Sequence, residues 1–412
     1  MHETNIVNLG IGFATGRKSF QRVLKTYIYN WKESGLTTDQ KVKLNLLIAY
    51  DVKYSNTKRT DYTNINNDLL SMIDEVFFIG REKIRQEIDF LVGNNVVDLN
   101  EAKRFFCGGY SGQRNSVIYF AIKNKIDYLV FLDDDEYPIA VTKTRHTALW
   151  SGQHVLNTHL HYIKNADITH GYHCGYISPI PYIRFDDVLT EADFRMFIEA
   201  ISNDIVNWDT IKTVMNNGGA TYADTSVLIK DTAEEVEEVN RAKFISGANL
   251  CINLTEPERV NAFYNPPGAR GEDTFLSTTL SNRKVLKVPC YTFHDGFSTY
   301  NHLLDGVLPI KLKSATADSK AIVLRFYRAC IGWIRYKPLF LYITKRENYL
   351  NEIEKIRSKL EITIPKVCEF FENENFKNIY KELERYHRNV EKHYADFQDA
   401  QNIWGKIKDF ID

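Results

Sequence analysis

Tyr128–Asp135 reads YLVFLDDD, five apolar residues that run without a break into three aspartates. A short apolar run of aromatic and branched residues fits a strand buried on both faces, as in a parallel sheet covered by helices. The pattern repeats upstream. Asn5–Phe13 is a short apolar strand, Ser19–Glu33 a helix, and Val42–Tyr50 (VKLNLLIAY) a strand ending at Asp51. Glu75–Ile79 (EVFFI) is another strand, and Ser116–Lys125 is the helix that precedes YLVFL. Strands alternating with helices predict βαβ units, hence an α/β fold with a mostly parallel sheet flanked by helices. Such sheets bind ligands outside the carboxyl ends of their strands, where Asp51 and Asp133–Asp135 both fall.

The chain has 412 residues, 44% of them hydrophobic, so it can bury a large core. That composition excludes disordered, collagen-like and small disulfide-stapled classes. Its 52 Lys+Arg against 53 Asp+Glu leave a net charge of -1, which argues against a nucleic-acid partner held by bulk charge. The six cysteines, at 107, 174, 251, 290, 330 and 368, show no CxxC spacing and read as buried thiols of a reducing cytoplasm. MHETNIVNLGIGF has no signal-peptide pattern, and no 18-residue apolar run occurs, so a cytoplasmic location is expected.

Three adjacent carboxylates at a strand end repel one another unless a cation joins them. Hard oxygen ligands suit Mg²⁺ or Mn²⁺, ions that keep waters and bridge to phosphates. Asp133 and Asp135 are the D-x-D pair of such a site; the competing reading is a solvated acidic loop.

Gly112-Gln113-Arg114-Asn115, a helix, and then YLVFLDDD resemble the inverting GT-A glycosyltransferases of the large family-2 type, whose Arg-Asn pair opens a helix before an aspartate cluster. Ser246-Gly247-Ala248-Asn249, Arg270-Gly271-Glu272-Asp273-Thr274-Phe275-Leu276 and His294-Asp295-Gly296 match later segments of that pattern. The resemblance covers roughly residues 5–300 and is carried by order and spacing. It implies a GT-A, Rossmann-like domain over 1–314, with a nucleotide-sugar half about 1–140 and an acceptor half about 141–314. It implies Asp273 as the base that deprotonates the acceptor, with Glu272 beside it. Donor contacts fall to Asp51, Arg114, Asp133 and Asp134, and Mn²⁺ or Mg²⁺ to Asp133, Asp135 and His294. The structural alternative for Glu272 and Asp273 is that they favour the first turn of a helix Thr274–Leu280. Where the family carries Asp-Asp-Gly-Ser, this chain has Asp51-Val52-Lys53-Tyr54, which leaves the nucleobase open, with a UDP-sugar favoured. Gly10–Gly16 (GIGFATG) lacks the spacing of a dinucleotide or ATP loop and reads as the first strand.

Six of the eleven histidines lie between His146 and His173, but His170-x-x-His173-Cys174 lacks a recognisable zinc spacing. Asn216–Thr225 and Asn265–Gly268 read as loops. From Ser314 onward Lys/Glu/aromatic helical patterns form an extension, 315–412. Within it Lys320–Arg346 holds seven Lys/Arg and no acid. Arg325, Arg328 and Arg335 share one side of that helix, and Val323, Phe326, Tyr327, Cys330, Ile331 and Ile334 the other, with Pro338 expected to break it. This face suits an anionic membrane surface on the inner side of the cell membrane, or packing on the first domain. Beyond it, helices interrupted at Pro365 suit a bundle, a cap or a homo-oligomer contact.

The expected activity is therefore metal-dependent transfer of a sugar from a nucleotide-sugar to a hydroxyl of a glycan or lipid-linked acceptor. The rivals are a nucleotidyltransferase, for which Gly10–Gly16 with Arg17 and Lys18 would be the phosphate loop, and a non-catalytic carbohydrate- or partner-binding protein.

Overall fold

The computed structural model describes residues 6–106, 109–202, 208–297, 300, 303 and 307–411; Cys107 lies outside them. Its strands are β1 (Val7–Thr15), β2 (Val42–Tyr50), β3 (Glu75–Ile79), β4 (Tyr128–Leu132), β5 (Glu136–Tyr137), β6 (Ile139–Lys143), β7 (Ala148–Gly152), β8 (Ile168–Gly175), β9 (Glu234–Glu235), β10 (Leu250–Asn253) and β11 (Val285–His294). Nine of them form one sheet, in the order β3-β2-β1-β4-β10-β8-β11-β5 with β9 also on β11, while β6 and β7 pair separately. The expected parallel block is present at β3-β2-β1-β4. β10 runs antiparallel between β4 and β8, so the sheet as a whole is mixed. The fold is thus α/β, a large mixed sheet flanked by helices and followed by a helical C-terminal part.

Alternation along β1 explains its sequence. Leu9, Ile11 and Phe13 point into the core that holds Phe20, Tyr27 and Trp31 of the helix Phe20–Glu33. Gly10 and Gly12 point the other way, under the helix Gly109–Lys123. A Cβ on Gly12 would lie 2.6 Å from Val117 Cγ1, so the glycines of GIGF give that helix room to approach.

Several helix boundaries differ from expectation. The helix expected at Ser116 already runs from Gly109, so Arg114 and Asn115 lie inside it, only 4% and 3% exposed, rather than opening it. Pro338 sits within Lys320–Thr344 and Pro365 within Tyr349–Phe370. Each proline removes one N–H bond, a loss outweighed where neighbours are buried on both sides, as Tyr336–Tyr342 are around Pro338.

Val323, Phe326, Cys330 and Ile334 of Lys320–Thr344 share a core with Phe194 and Phe197 of the helix Glu191–Ile201 and with Ile353 and Leu360 of Tyr349–Phe370. The apolar face expected to suit a membrane is therefore spent inside the fold. Arg335 is also engaged, donating to Glu382 Oε2 at 2.6 Å and to the Gly268 carbonyl at 2.8 Å. Farther on, the helix Val390–Ile411 lays Trp404 on Phe105, ring centroids 5.2 Å apart and 9° from parallel. Among the described residues no helix is long and apolar enough to cross a membrane.

Candidate functional site

The carboxyl ends of β1, β4, β8 and β11 lie along one edge of the sheet, as their parallel alignments require. β1 delivers Thr15 and Arg17 there, β4 delivers Asp133–Asp135, and β11 delivers His294 and Asp295. The first turn of the helix Glu272–Ser277 adds Glu272 and Asp273. That helix begins two residues earlier than expected, with Gly271 at φ +97° as its cap. Left-handed backbone of this kind suits glycine, and it turns both acids toward the sheet edge.

The three aspartates point in different directions. Asp133 accepts from Arg114 Nη2 at 3.2 Å. Asp134, 6% exposed, accepts from Thr15 Oγ1 at 2.5 Å and Arg17 Nη1 at 2.8 Å, so it braces the β1 turn. Asp135 pairs with Arg17 and faces His294, with Oδ2 3.4 Å from Nε2. Their ionisation diverges accordingly. Burial, reinforced by Glu136, Asp135 and Asp134, pushes Asp133 up to about 7 against the pull of Arg114. Burial acts the same way on Asp135, but the His294 and Arg17 charges outweigh it and hold that carboxyl well below the usual range. His294, which burial alone would lower, is carried up to about 9 by Asp135.

Arg114 is the organiser. Its guanidinium spans Asp133 and Glu272, with Nε 3.4 Å from Glu272 Oε1, and donates to the Gly247 carbonyl at 2.5 Å. It lies 5.0 Å from the Phe131 ring and 5.5 Å from that of Phe263. Asp273 accepts from Gly247 N at 3.1 Å and from Thr274 N at 2.8 Å. Burial and the neighbouring Glu272 charge raise its pKa to about 6, against the opposing pull of Arg114 and these two N–H groups.

Asp133, Arg114, Glu272 and Asp273 thus form one connected cluster, joined through Asp133–Asp135 to Arg17 and His294. Asp51 stands apart. It is exposed, accepts from Lys53 N at 2.9 Å, and lines a cleft of about 1040 Å³ with Arg59, Phe78 and Arg81 beyond the ends of β2 and β3. Among the described residues no three His, Cys, Asp or Glu side chains converge as a ready metal cage, because Asp133 is turned to Arg114. Asp135 and His294 are left facing each other, an oxygen and a nitrogen 3.4 Å apart that could serve as ligands only once His294 gives up its proton. A pair of that kind fits a divalent ion whose other positions belong to water and phosphate.

Asn249, expected in the family's G-x-N segment, is fully buried and holds His159, whose Nε2 is 2.9 Å from its Oδ1. His170 and His173 stand three apart on β8, on opposite faces. His173 serves Glu136, with Nδ1 3.2 Å from Oε1. The five described cysteines are free and buried.

Sequence reasoning missed the place of two arginines. It read Arg17 as part of a rival class's phosphate loop and Arg325 as a membrane-facing cation. Arg17 bonds the aspartates, and Arg325 reaches the site from the helix Lys320–Thr344, 4.2 Å from the Phe297 ring beside His294. Arg17's position directly after an apolar strand was the available signal; Arg325 had none. No protein-family model matches the chain, and no curated protein matches it significantly.

Proposed function

We propose that the protein is an inverting glycosyltransferase of GT-A type, using a nucleotide-sugar, a UDP-sugar for preference, and a hydroxyl of a glycan or lipid-linked acceptor. The observation that carries this reading is the single cluster of Asp133, Arg114, Glu272 and Asp273, drawn from distant chain segments to the carboxyl edge of the sheet. Within it Asp273 has the pKa and the setting of a base. In the proposed reaction its carboxylate takes the acceptor hydroxyl proton as that oxygen bonds to the anomeric carbon. The carbon–oxygen bond to the diphosphate breaks on the opposite side, inverting the centre.

Glu272 orients the acceptor or the base, and Arg114 fixes the spacing between Asp133 and Glu272. Asp135 and His294 would hold Mn²⁺ or Mg²⁺. When bound, the ion neutralises charge on the leaving diphosphate. The cleft at Asp51 is the proposed place for the nucleobase, within the donor half about 1–140; residues 141–314 complete the acceptor side. A cytoplasmic location belongs to the same proposal. With the apolar face of 320–346 covered, contact of that segment with an anionic membrane would fall to its basic side alone.

A thermal-shift panel of UDP, GDP and CMP, each with and without Mn²⁺, tests the donor site. UDP with Mn²⁺ is expected to raise Tm; a panel in which no nucleotide stabilises the protein contradicts the reading.

A further inference from the structure

We propose that Val307, Leu308 and Ile310, set among the cations Arg145, Lys311 and Lys313, form a docking surface for an anionic lipid bilayer. The three apolar side chains stand in one four-residue stretch, VLPI, and are 56%, 45% and 76% exposed. Looseness does not account for this, because the backbone is pinned. The Ile310 carbonyl accepts from Ala148 N at 2.8 Å, and the Pro309 carbonyl from Trp150 Nε1 at 2.8 Å. Trp150 packs in turn on Phe293, ring centroids 5.1 Å apart. The stretch therefore lies along β7, whose own Leu149 is 55% exposed. A contiguous apolar stretch held in water in this way marks a contact surface.

Charge selects the occupant. No Asp or Glu occurs at 137–166 or at 306–317, the two segments that meet here. Arg145 lies between β6 and β7, and Lys311 and Lys313 follow Ile310 directly; all three are exposed. Among the described residues none of the three enters an ion pair. Apolar side chains among unpaired cations match the acyl chains and the phosphates of an anionic lipid surface together. An uncharged apolar partner would leave the cations unanswered. The basic helix Lys320–Thr344 buries its apolar face, whereas this patch offers both components in the open.

The patch is tied to the end of β11. Lys313 N donates to Tyr300 Oη at 2.6 Å, and Tyr300 N to Oδ2 of Asp295, the residue after His294, at 2.7 Å. A bilayer held here would bring a lipid-linked acceptor to that side of the protein; this consequence rests on the proposed sugar transfer, and the docking itself does not. Co-sedimentation of the full chain with phosphatidylcholine vesicles, with and without phosphatidylglycerol, tests it. Binding to the phosphatidylglycerol vesicles is expected, falling about fivefold for each cation removed in Arg145→Gln and Lys311→Gln. Leu308→Ser combined with Ile310→Ser, both side chains being exposed, should weaken it about tenfold or more. Arg328→Gln, exposed on the basic helix, should leave it unchanged. No binding by the unmodified protein, or binding lost in Arg328→Gln and kept in the patch variants, overturns the proposal. So does a chain that ignores the vesicles but forms a dimer that Leu308→Ser with Ile310→Ser dissolves, because the patch is then an interface between copies. Vesicle binding is read without substrate, so it stands or falls separately from stabilisation by UDP.

Discussion

A carboxyl serves as a base near neutral pH when it is ionised there yet still holds a proton with useful strength. Asp273 meets both conditions because burial and Glu272 lift it to about 6 while Arg114 and two N–H groups keep it from rising further. The sign follows directly: the working form is the carboxylate, so acid removes activity. For the proposed transfer, kcat/KM is expected to level off above pH 6 and to fall about tenfold per unit below it; a profile flat to pH 4.5 would contradict the assignment. Arg114→Ala, which strips a buried cation from the half-buried Asp133 and Glu272 and a donor from the Gly247 carbonyl, should cost about 1–3 kcal/mol of stability in urea unfolding. Asp133 and Asp273 were legible in the sequence because each sits at a strand or helix boundary within a local pattern. The approach of Arg17 to Asp135 and of Arg325 to His294 was not, since each pair is brought together only by folding.

Among the elements, β2 and β4 were readable to the residue because strands buried on both faces are continuous apolar runs, and edge strand β3 because EVFFI is short, aromatic and branched. Helix ends were read less well. Gly112 made the start of the helix Gly109–Lys123 look like a loop, and Pro338 and Pro365 looked like stops; in each case burial of the flanking residues overrides the local preference. The contact of that first helix with β1 depends on the absence of a side chain at Gly12. Gly12→Ala forces a Cβ to within 2.6 Å of Val117 Cγ1 and is expected to destabilise by about 1–3 kcal/mol, measured as a lower urea midpoint with unchanged slope. Val117→Ala in the same chain should restore part of the loss.

The whole molecule joins its helical C-terminal part to the first domain through shared cores, one of the two roles the sequence left open for the basic helix. An amphipathic basic helix looks the same whether its apolar side meets lipid or protein; here Phe194 and Phe197 cover it. Antiparallel β10 was equally hidden, because residues 146–310 lack the regular alternation that announces crossovers. Trp404 carries one such join, stacked on Phe105 and donating to the Val260 carbonyl at 2.8 Å. Trp404→Ala is expected to cost about 3–5 kcal/mol in urea unfolding; a negligible loss would mean that the last helix is dispensable to the fold. Integration at this scale also brings Arg325 beside His294. The central claim, that Asp273 is the base of a sugar transfer, is tested most directly by Asp273→Asn. Release of nucleoside diphosphate from the nucleotide-sugar is expected to fall at least about 100-fold while nucleotide affinity stays within about threefold of the unmodified protein. Undiminished release by Asp273→Asn would contradict the account.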